Sequence, residues 1–140
     1  MKKIILYILL SVFFLACNES ADTLALEKAK EYFLEGNKLY KAGNYTKAIT
    51  LYNKALSIDP DNPMVYLKRG DSQRKLRRSK AALSDYNKVI SLRPSNARAY
   101  YHRGTLKIKL GQKSEGCEDV QKAKALCYVP AEQFYNKFCN

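Results

Sequence analysis

Four cysteines and one histidine are the residues of this 140-residue chain best suited to metal or nucleophilic chemistry. Cys117, Cys127 and Cys139 are spaced C-x9-C-x11-C, without the close C-x2-4-C pair typical of a structural zinc site. His102 could work in a Cys–His dyad only beside an orienting third group, and the spacing indicates none. The sequence has no glycine-rich phosphate loop, G-x-S-x-G elbow or H-E-x-x-H motif. We therefore expect no catalysis, no metal and no cofactor.

The fourth cysteine, Cys17, follows a segment of a different kind. Residues 1–16 begin with MKK and continue as an apolar run too short to span a bilayer, which is typical of an export signal. The junction FFLACNES resembles the lipobox of bacterial lipoproteins, although Phe14 stands where leucine is commonest. The resemblance implies a signal peptide over 1–16, lipidation of Cys17 and a short tether over 17–23. It also implies a lipid-anchored location in the bacterial cell envelope, in the outer membrane or facing the periplasm. The alternative is an ordinary secretory signal in which Cys17 is incidental.

The chain is strongly basic, with 25 Lys and Arg residues against 13 Asp and Glu residues. Without Lys2 and Lys3, the mature chain would carry a formal charge of about +10. Such a balance often accompanies nucleic-acid binding, but an exported chain without a nucleic-acid motif makes that partner unexpected. Acidic proteins, anionic lipid or polyanionic envelope material fit the expected compartment, as does a merely solvated surface.

A stretch of 31 residues occurs three times at a period of 34, beginning at Tyr32, Tyr66 and Tyr100. The first two copies are identical at ten positions, which is far beyond chance for an ungapped register. The recurring positions are Gly36, Gly70 and Gly104; Ala48, Ala82 and Gly116; Tyr52, Tyr86 and Val120; Ala55, Val89 and Ala123; and Pro60, Pro94 and Tyr128.

These residues resemble the tetratricopeptide repeat, a 34-residue helix-turn-helix unit, over about residues 29–130. The small residues lie where two helices cross closely, Tyr52 and Tyr86 fill the gaps behind them, and the prolines end helices. The expected fold class is all-α: a helical-hairpin solenoid of three tetratricopeptide repeats plus a C-terminal capping helix.

The apolar periodicity predicts seven helices. We place them near 24–42, 45–58, 63–76, 79–92, 97–110, 114–126 and 130–139. The predicted repeat region is 24–130, with repeats at 29–62, 63–96 and 97–130, followed by the cap at 131–140. Ala131, Phe134, Tyr135 and Phe138 form the apolar stripe of the cap.

An antiparallel hairpin turning near residue 128 would bring Cys117 and Cys139 together, because each lies eleven residues from the turn. Cys127, at the turn itself, would be too far from either partner to form a bridge. We expect a Cys117–Cys139 disulfide in an oxidising compartment, with three free buried thiols as the alternative.

The first helices of such repeats line the concave side of the superhelix. The repeat frame places Asn37, Lys68, Arg98 and His102 there, with Phe33 and Arg69 nearby. In tetratricopeptide domains that bind the C-terminal carboxylate of cytosolic chaperones, five polar positions form a carboxylate clamp. The resemblance to that clamp is incomplete, because Phe33 replaces a lysine, Lys68 an asparagine and His102 an arginine. Lys68 and Arg98 would still favour an acidic or C-terminal peptide, whereas solvated side chains without a ligand are the alternative.

A second basic feature, RKLRRSK at 74–80, falls on the turn inside repeat two, where Arg77 takes the place of the glycines of the other repeats. This cluster could contact anionic headgroups or simply be a solvated loop. The sequence therefore favours a membrane-anchored, non-catalytic scaffold that binds a protein or peptide partner. The alternatives are a structural assembly subunit of an envelope complex and a binder of anionic lipid or polymer.

Overall fold

The computed structural model describes residues 22–139 in full, and residues 2–21 only by their place in the first helix. Its elements are seven α-helices in chain order. They are α1 (Lys2–Lys41), α2 (Tyr45–Ile58), α3 (Pro63–Lys75), α4 (Ser79–Leu92), α5 (Ala97–Lys109), α6 (Lys113–Ala125) and α7 (Val129–Phe138). The all-α repeat fold predicted from the sequence is confirmed, and the ends of α2 to α7 fall within one residue of the predicted bounds.

The first helix differs from the prediction, because α1 begins at Lys2 rather than near residue 24. The polar stretch NESADT contains neither glycine nor proline, so nothing in it ends a helix. The predicted lipidation site, Cys17, lies outside the fully described residues. Within residues 22–139, no helix is long and apolar enough to cross a bilayer.

Each repeat folds as a helical hairpin whose two helices approach closely at a small residue. A Cβ atom built on Gly36 would lie 2.7 Å from Cε1 of Tyr52, a residue that is fully buried on α2. In the third hairpin, a Cβ on Gly104 would lie 2.5 Å from the carbonyl oxygen of Gly116. The side chain that a larger residue would add has no room, so the recurring glycines set the distance between the paired helices.

The turn inside each hairpin contains one residue with left-handed backbone geometry. Gly43 and Gly111 have φ angles of +80° and +86°, and Arg77 holds the same position with φ 57°. Cys127, between α6 and α7, has φ 60°. In all four turns, the backbone amide of the residue that follows donates a hydrogen bond to the carbonyl oxygen five residues earlier, as from Arg78 to Gln73. The α6–α7 connection therefore repeats the tight turn found inside the repeats.

Turns between repeats use a different device, an asparagine that caps the next helix. The Asn62 side chain accepts hydrogen bonds from the backbone amides of Met64 and Val65, and Pro63 opens α3. Asn96 caps α5 in the same way, by accepting from the amide of Ala99. Each proline-containing turn thus ends one repeat and starts the next.

The buried apolar residues form three clusters along the stack, and Tyr66 packs against the first two. Tyr52 and Tyr86 are the largest fully buried side chains. The predicted cap packs on the last hairpin: Ala131 is buried against Val120 and Ala123, and Phe134 and Tyr135 contact the same cluster. Phe138 remains 44% exposed, with its ring 4.6 Å from that of Phe134. The cap therefore covers the end of the solenoid with part of its apolar stripe.

Candidate functional site

A cleft of about 540 Å³ lies between the first helices of repeats one and two, and we refer to it as the groove. Its lining contains three lysines and no acidic residue. The lining residues are Leu34, Asn37, Lys38, Tyr40, Lys41 and Lys68. Two of the predicted site residues, Asn37 and Lys68, are thus brought together here.

Lys68 is the half-buried cation of the groove. Its ammonium nitrogen lies 5.4 Å from the centroid of the Tyr40 ring, a cation–π contact. Burial lowers the pKa of Lys68 below its ordinary value, and the nearby positive charge of Arg98 lowers it further. Only the weaker effect of the Asp71 charge acts in the opposite direction. A ligand carboxylate would offset the lowering, because it would place a counter-charge beside the ammonium group.

Asn37 is fixed by the core tyrosine behind it. The Tyr52 hydroxyl donates a hydrogen bond of 2.9 Å to Oδ1 of Asn37. Burial raises the pKa of this hydroxyl, so that it remains a donor at any physiological pH. With its oxygen engaged, the Asn37 amide can offer a ligand its two N–H donors.

Arg98 and His102 lie next to the groove around a residue that the sequence reasoning missed, Asp71. The Asp71 side chain is fully buried on α3, and its carboxylate accepts a 2.6 Å hydrogen bond from Nη2 of Arg98. The Tyr86 hydroxyl donates to the other oxygen at 2.9 Å, and Arg74 lies 3.9 Å away. We call these five residues, Asp71, Arg74, Tyr86, Arg98 and His102, the Asp71 cluster.

His102 is neutral within this cluster. Burial lowers the pKa of His102 to about 4, and Arg74 and Arg98 act in the same direction against the opposing effect of Asp71. The geometry agrees, because Nε of Arg98 donates to Nε2 of His102 at 3.1 Å, and only an unprotonated nitrogen can accept. The ring also stacks on Tyr86, with 5.9 Å between centroids. His102 therefore orients Arg98 rather than adding a positive charge.

Phe33 and Arg69, expected near the groove, have other partners. Phe33 packs on Tyr52 and lines a separate cleft with Ala55 and Val65. Arg69 forms a two-pronged ion pair with Asp85, at 2.9 and 2.6 Å, and also donates to Asn53. It thus joins α3 to both α2 and α4, as a structural tie between repeats.

The 34-residue period could have revealed these polar contacts. Arg103, Asp119 and Asn87 repeat the Arg69 arrangement one period later, with hydrogen bonds of 2.5 to 2.8 Å. Asn37 and Asp71 are likewise one period apart, and each accepts from a tyrosine fifteen residues later. Extending the alignment from apolar to polar positions would have identified Asp71 as a buried acceptor.

Two cysteines of the cap region lie at bonding distance in the structure, and the disulfide between them in the exported protein stays a prediction. The Sγ atoms of Cys117 and Cys139 lie 2.04 Å apart, and the Cα atoms 5.6 Å. Cys127 is a free, exposed thiol at the turn, so it is not buried as the alternative of three free thiols supposed. Among residues 22–139, no three His, Cys, Asp or Glu side chains come together as a metal site.

Comparison with known proteins identifies the repeats. A family model described as "TPR repeat" matches residues 36–76, and one described as "Tetratricopeptide repeat" matches residues 67–117. Human DnaJ homolog subfamily C member 7 is 42% identical over 67 residues, or 45% of this chain. The chain spans only 13% of the length of that relative.

Solved structures match over a larger share of the chain. The first TPR domain of Spaghetti (RPAP3), bound to the HSP90 peptide SRMEEVD, is 30% identical with a TM-score of 0.76. That match covers 81% of this chain and 91% of the other. The second TPR domain of the same protein, bound to the same peptide, is 26% identical over 76% of this chain and 98% of its own length, with a TM-score of 0.72. The chain belongs to the tetratricopeptide repeat family.

Proposed function

We propose that this chain is a non-catalytic scaffold whose groove binds an acidic, C-terminal segment of a protein partner. The observation that carries the proposal is the lining of the groove, where Lys38, Lys41 and Lys68 converge without any acidic side chain. Carboxylates are the natural ligands of such a site, because charge-assisted hydrogen bonds to lysine are stronger than neutral ones. The peptide SRMEEVD, held by two similar domains, has this character.

The ammonium group of Lys68 is available for binding, together with the two N–H donors of the Asn37 amide. Arg98 contributes a face of its guanidinium, since it is 40% exposed while its Nη2 and Nε are bound within the Asp71 cluster. The neutral His102 leaves the net charge of Asp71, Arg74 and Arg98 positive. A ligand carboxylate would therefore meet positive potential on both sides of Lys68.

The experiment that tests this proposal uses the full-length chain and a fluorescent SRMEEVD peptide with a free carboxylate. We expect Lys68→Glu to weaken binding by about tenfold or more, because a charge inside the groove changes sign. The matched control is Lys54→Glu, an exposed lysine on α2 outside the groove lining. Control binding should stay within about twofold of wild type.

Two outcomes would overturn the groove proposal. Equal loss in both variants would show that only net charge matters. Unchanged binding in Lys68→Glu would favour the assembly-subunit alternative, in which the groove makes no contact. Reversal of Arg98 is unsuitable here, because it would leave the buried Asp71 carboxylate next to a second negative charge.

We further infer that the chain is acylated at Cys17 and held on a membrane of a bacterial envelope. What supports this is the sequence alone, namely the apolar run followed by FFLACN. Several acyl chains give stable membrane attachment, since each buried methylene contributes roughly 0.8 kcal/mol. Cys17→Ser should release the protein from the membrane fraction or block its processing. Unchanged partition together with an unchanged mature mass would overturn the anchor.

A further inference from the structure

The positive charge of the molecule is concentrated at one edge. Because α1/α2, α3/α4 and α5/α6 are antiparallel hairpins stacked in order, their three internal turns lie side by side. A cleft of about 320 Å³ lined by residues 43–47 and Leu76 shows the first two turns in contact. We call the segments 36–48, 70–82 and 104–116 the basic edge.

The charge count separates the basic edge from the rest of the molecule. Its 39 residues contain eleven Lys or Arg and two acidic residues, a formal charge of +9. The other 79 residues between 22 and 139 contain twelve basic and ten acidic residues, a formal charge of +2. Nearly all the excess charge of the described chain therefore lies on the turns that join the paired helices and on the helix ends next to them.

Most cations of this edge are also unpaired. Nine of them are exposed and take part in no ion pair among residues 22–139: Lys38, Lys41, Lys47, Lys75, Arg77, Arg78, Lys80, Lys109 and Lys113. Elsewhere between residues 22 and 139, two of the six exposed Lys and Arg residues are ion-paired, namely Lys28 with Glu31 and Lys30 with Glu27. Nine uncompensated charges on adjacent turns repel one another, and a polyanionic partner would remove that repulsion.

We propose that the basic edge docks on an anionic phospholipid surface. Seven of the nine cations are lysines, compact point charges spread over three turns, which suits a distributed layer of headgroups rather than one bidentate ligand. Leu110 lies on the third turn, 50% exposed between Lys109 and Lys113 in sequence. An apolar side chain flanked by lysines fits the boundary between headgroups and acyl chains.

A soluble polyanion fits the basic edge less well. Such a polymer offers no apolar layer to receive Leu110. The aromatic residues of the three segments, Tyr40 and Tyr45, are partly buried and contact each other edge to face, with 5.4 Å between ring centroids. They therefore provide no exposed platform for stacking bases. The basic edge shares Lys38 and Lys41 with the groove lining, whereas Lys68 lies outside the edge. The edge variant below leaves all three lysines unchanged, so it tests the lipid surface without altering the groove.

Vesicle flotation of the full-length chain tests the proposal. The probes are vesicles of phosphatidylcholine alone and vesicles that include about a third of phosphatidylglycerol or cardiolipin. The edge variant carries Lys75→Gln, Arg78→Gln, Lys80→Gln and Lys113→Gln. The matched control carries Lys54→Gln, Arg93→Gln, Lys122→Gln and Lys137→Gln, which remove the same charge from exposed positions off the edge. The apolar N-terminal segment contributes equally in all proteins.

We expect the wild type to bind anionic vesicles more strongly than neutral ones. The ratio of anionic to neutral binding should fall by at least about tenfold in the edge variant and by less than about threefold in the control. Leu110→Gln should weaken flotation without altering helical content by circular dichroism. Equal losses in the edge and control variants, or no preference for anionic vesicles, would overturn the proposal. Binding to a sulfated polymer or oligonucleotide that depends on the edge, without vesicle binding, would reassign it to a soluble polyanion.

Discussion

The guanidinium of Arg98 on α5 lies 2.6 Å from the carboxylate of Asp71 on α3, a side chain that is fully buried. This ion pair joins repeats two and three beside the groove. Removing one partner of a buried pair leaves an uncompensated charge, which costs more free energy than the intact pair contributes. The pair therefore determines the position of an arginine that the sequence had assigned to ligand binding alone.

We predict that Arg98→Ala lowers the free energy of unfolding by about 2 kcal/mol, since Asp71 then keeps only Arg74 and Tyr86 as partners. Urea denaturation followed by circular dichroism measures the change. Arg93→Ala is the control, because Arg93 is exposed and its side chain makes none of the described contacts. Equal effects of the two substitutions would show that the Asp71 pair does not stabilise the fold.

The buried His102 predicts a dependence of stability on pH. The pKa of His102 is lowered to about 4 in the folded chain, whereas an unfolded histidine titrates near 6.5. The unfolded state therefore binds the proton first as the pH falls, and stability decreases between about pH 6.5 and 4. The loss should reach about 3 kcal/mol below pH 4.

His102→Gln separates this effect from the titration of carboxylates elsewhere, because glutamine keeps an acceptor for Arg98 without taking up a proton. Between pH 7.5 and 4.5, measured also at pH 5.5, the wild type should lose more unfolding free energy than the variant, by about the His102 contribution. A constant difference between the two proteins over that range would contradict the assignment of a neutral, buried His102.

The backbone conformation of Arg77 predicts a substitution that stabilises the fold, whereas those above destabilise it. Its φ of 57° disfavours any residue with a Cβ atom, and the equivalent positions in the other repeats are Gly43 and Gly111. Arg77→Gly should therefore stabilise the fold by about 0.5–1 kcal/mol, despite the loss of a side chain. Arg77→Ala keeps the Cβ and should show no such gain in the midpoint of thermal unfolding. If both substitutions raise the midpoint equally, charge repulsion at the basic edge is the cause instead.

Loss of the Cys117–Cys139 bridge should loosen the structure only near the cap. The Cys117–Cys139 bridge closes a segment of 22 residues, and such a loop contributes about 3 kcal/mol. Cys139→Ser should accelerate amide hydrogen exchange in α6 and α7 while α2 to α4 stay protected, because each unit of a solenoid depends mainly on its neighbours.

Non-reducing peptide mass spectrometry checks the pairing itself. It should find Cys117 joined to Cys139, with Cys127 alkylated. A bridge through Cys127 would contradict the arrangement of the hairpin.

The helices could be predicted because their signals are local and repeated. The period of 34, the glycines facing Tyr52 and Tyr86 and the prolines that end helices each act within one hairpin or one turn. Asp71 and Arg98 could not be paired in the same way, since they are 27 residues apart on different repeats and their contact depends on how the hairpins stack. The neutral state of His102 could not be predicted from the sequence either. It depends on contacts between repeats, namely burial against Tyr86 and the arginines around the ring.

Locating an acidic C-terminal peptide on the wild-type chain would show whether the groove binds such a segment. Unlabelled SRMEEVD should be titrated into uniformly ¹⁵N-labelled full-length protein while backbone amide resonances are recorded. We predict saturable shifts centred on Asn37, Lys41 and Lys68, which weaken when the two glutamates of the peptide are replaced by glutamine. Shifts confined to segments 70–82 and 104–116 of the basic edge, or unaffected by the loss of the glutamates, would contradict binding in the groove.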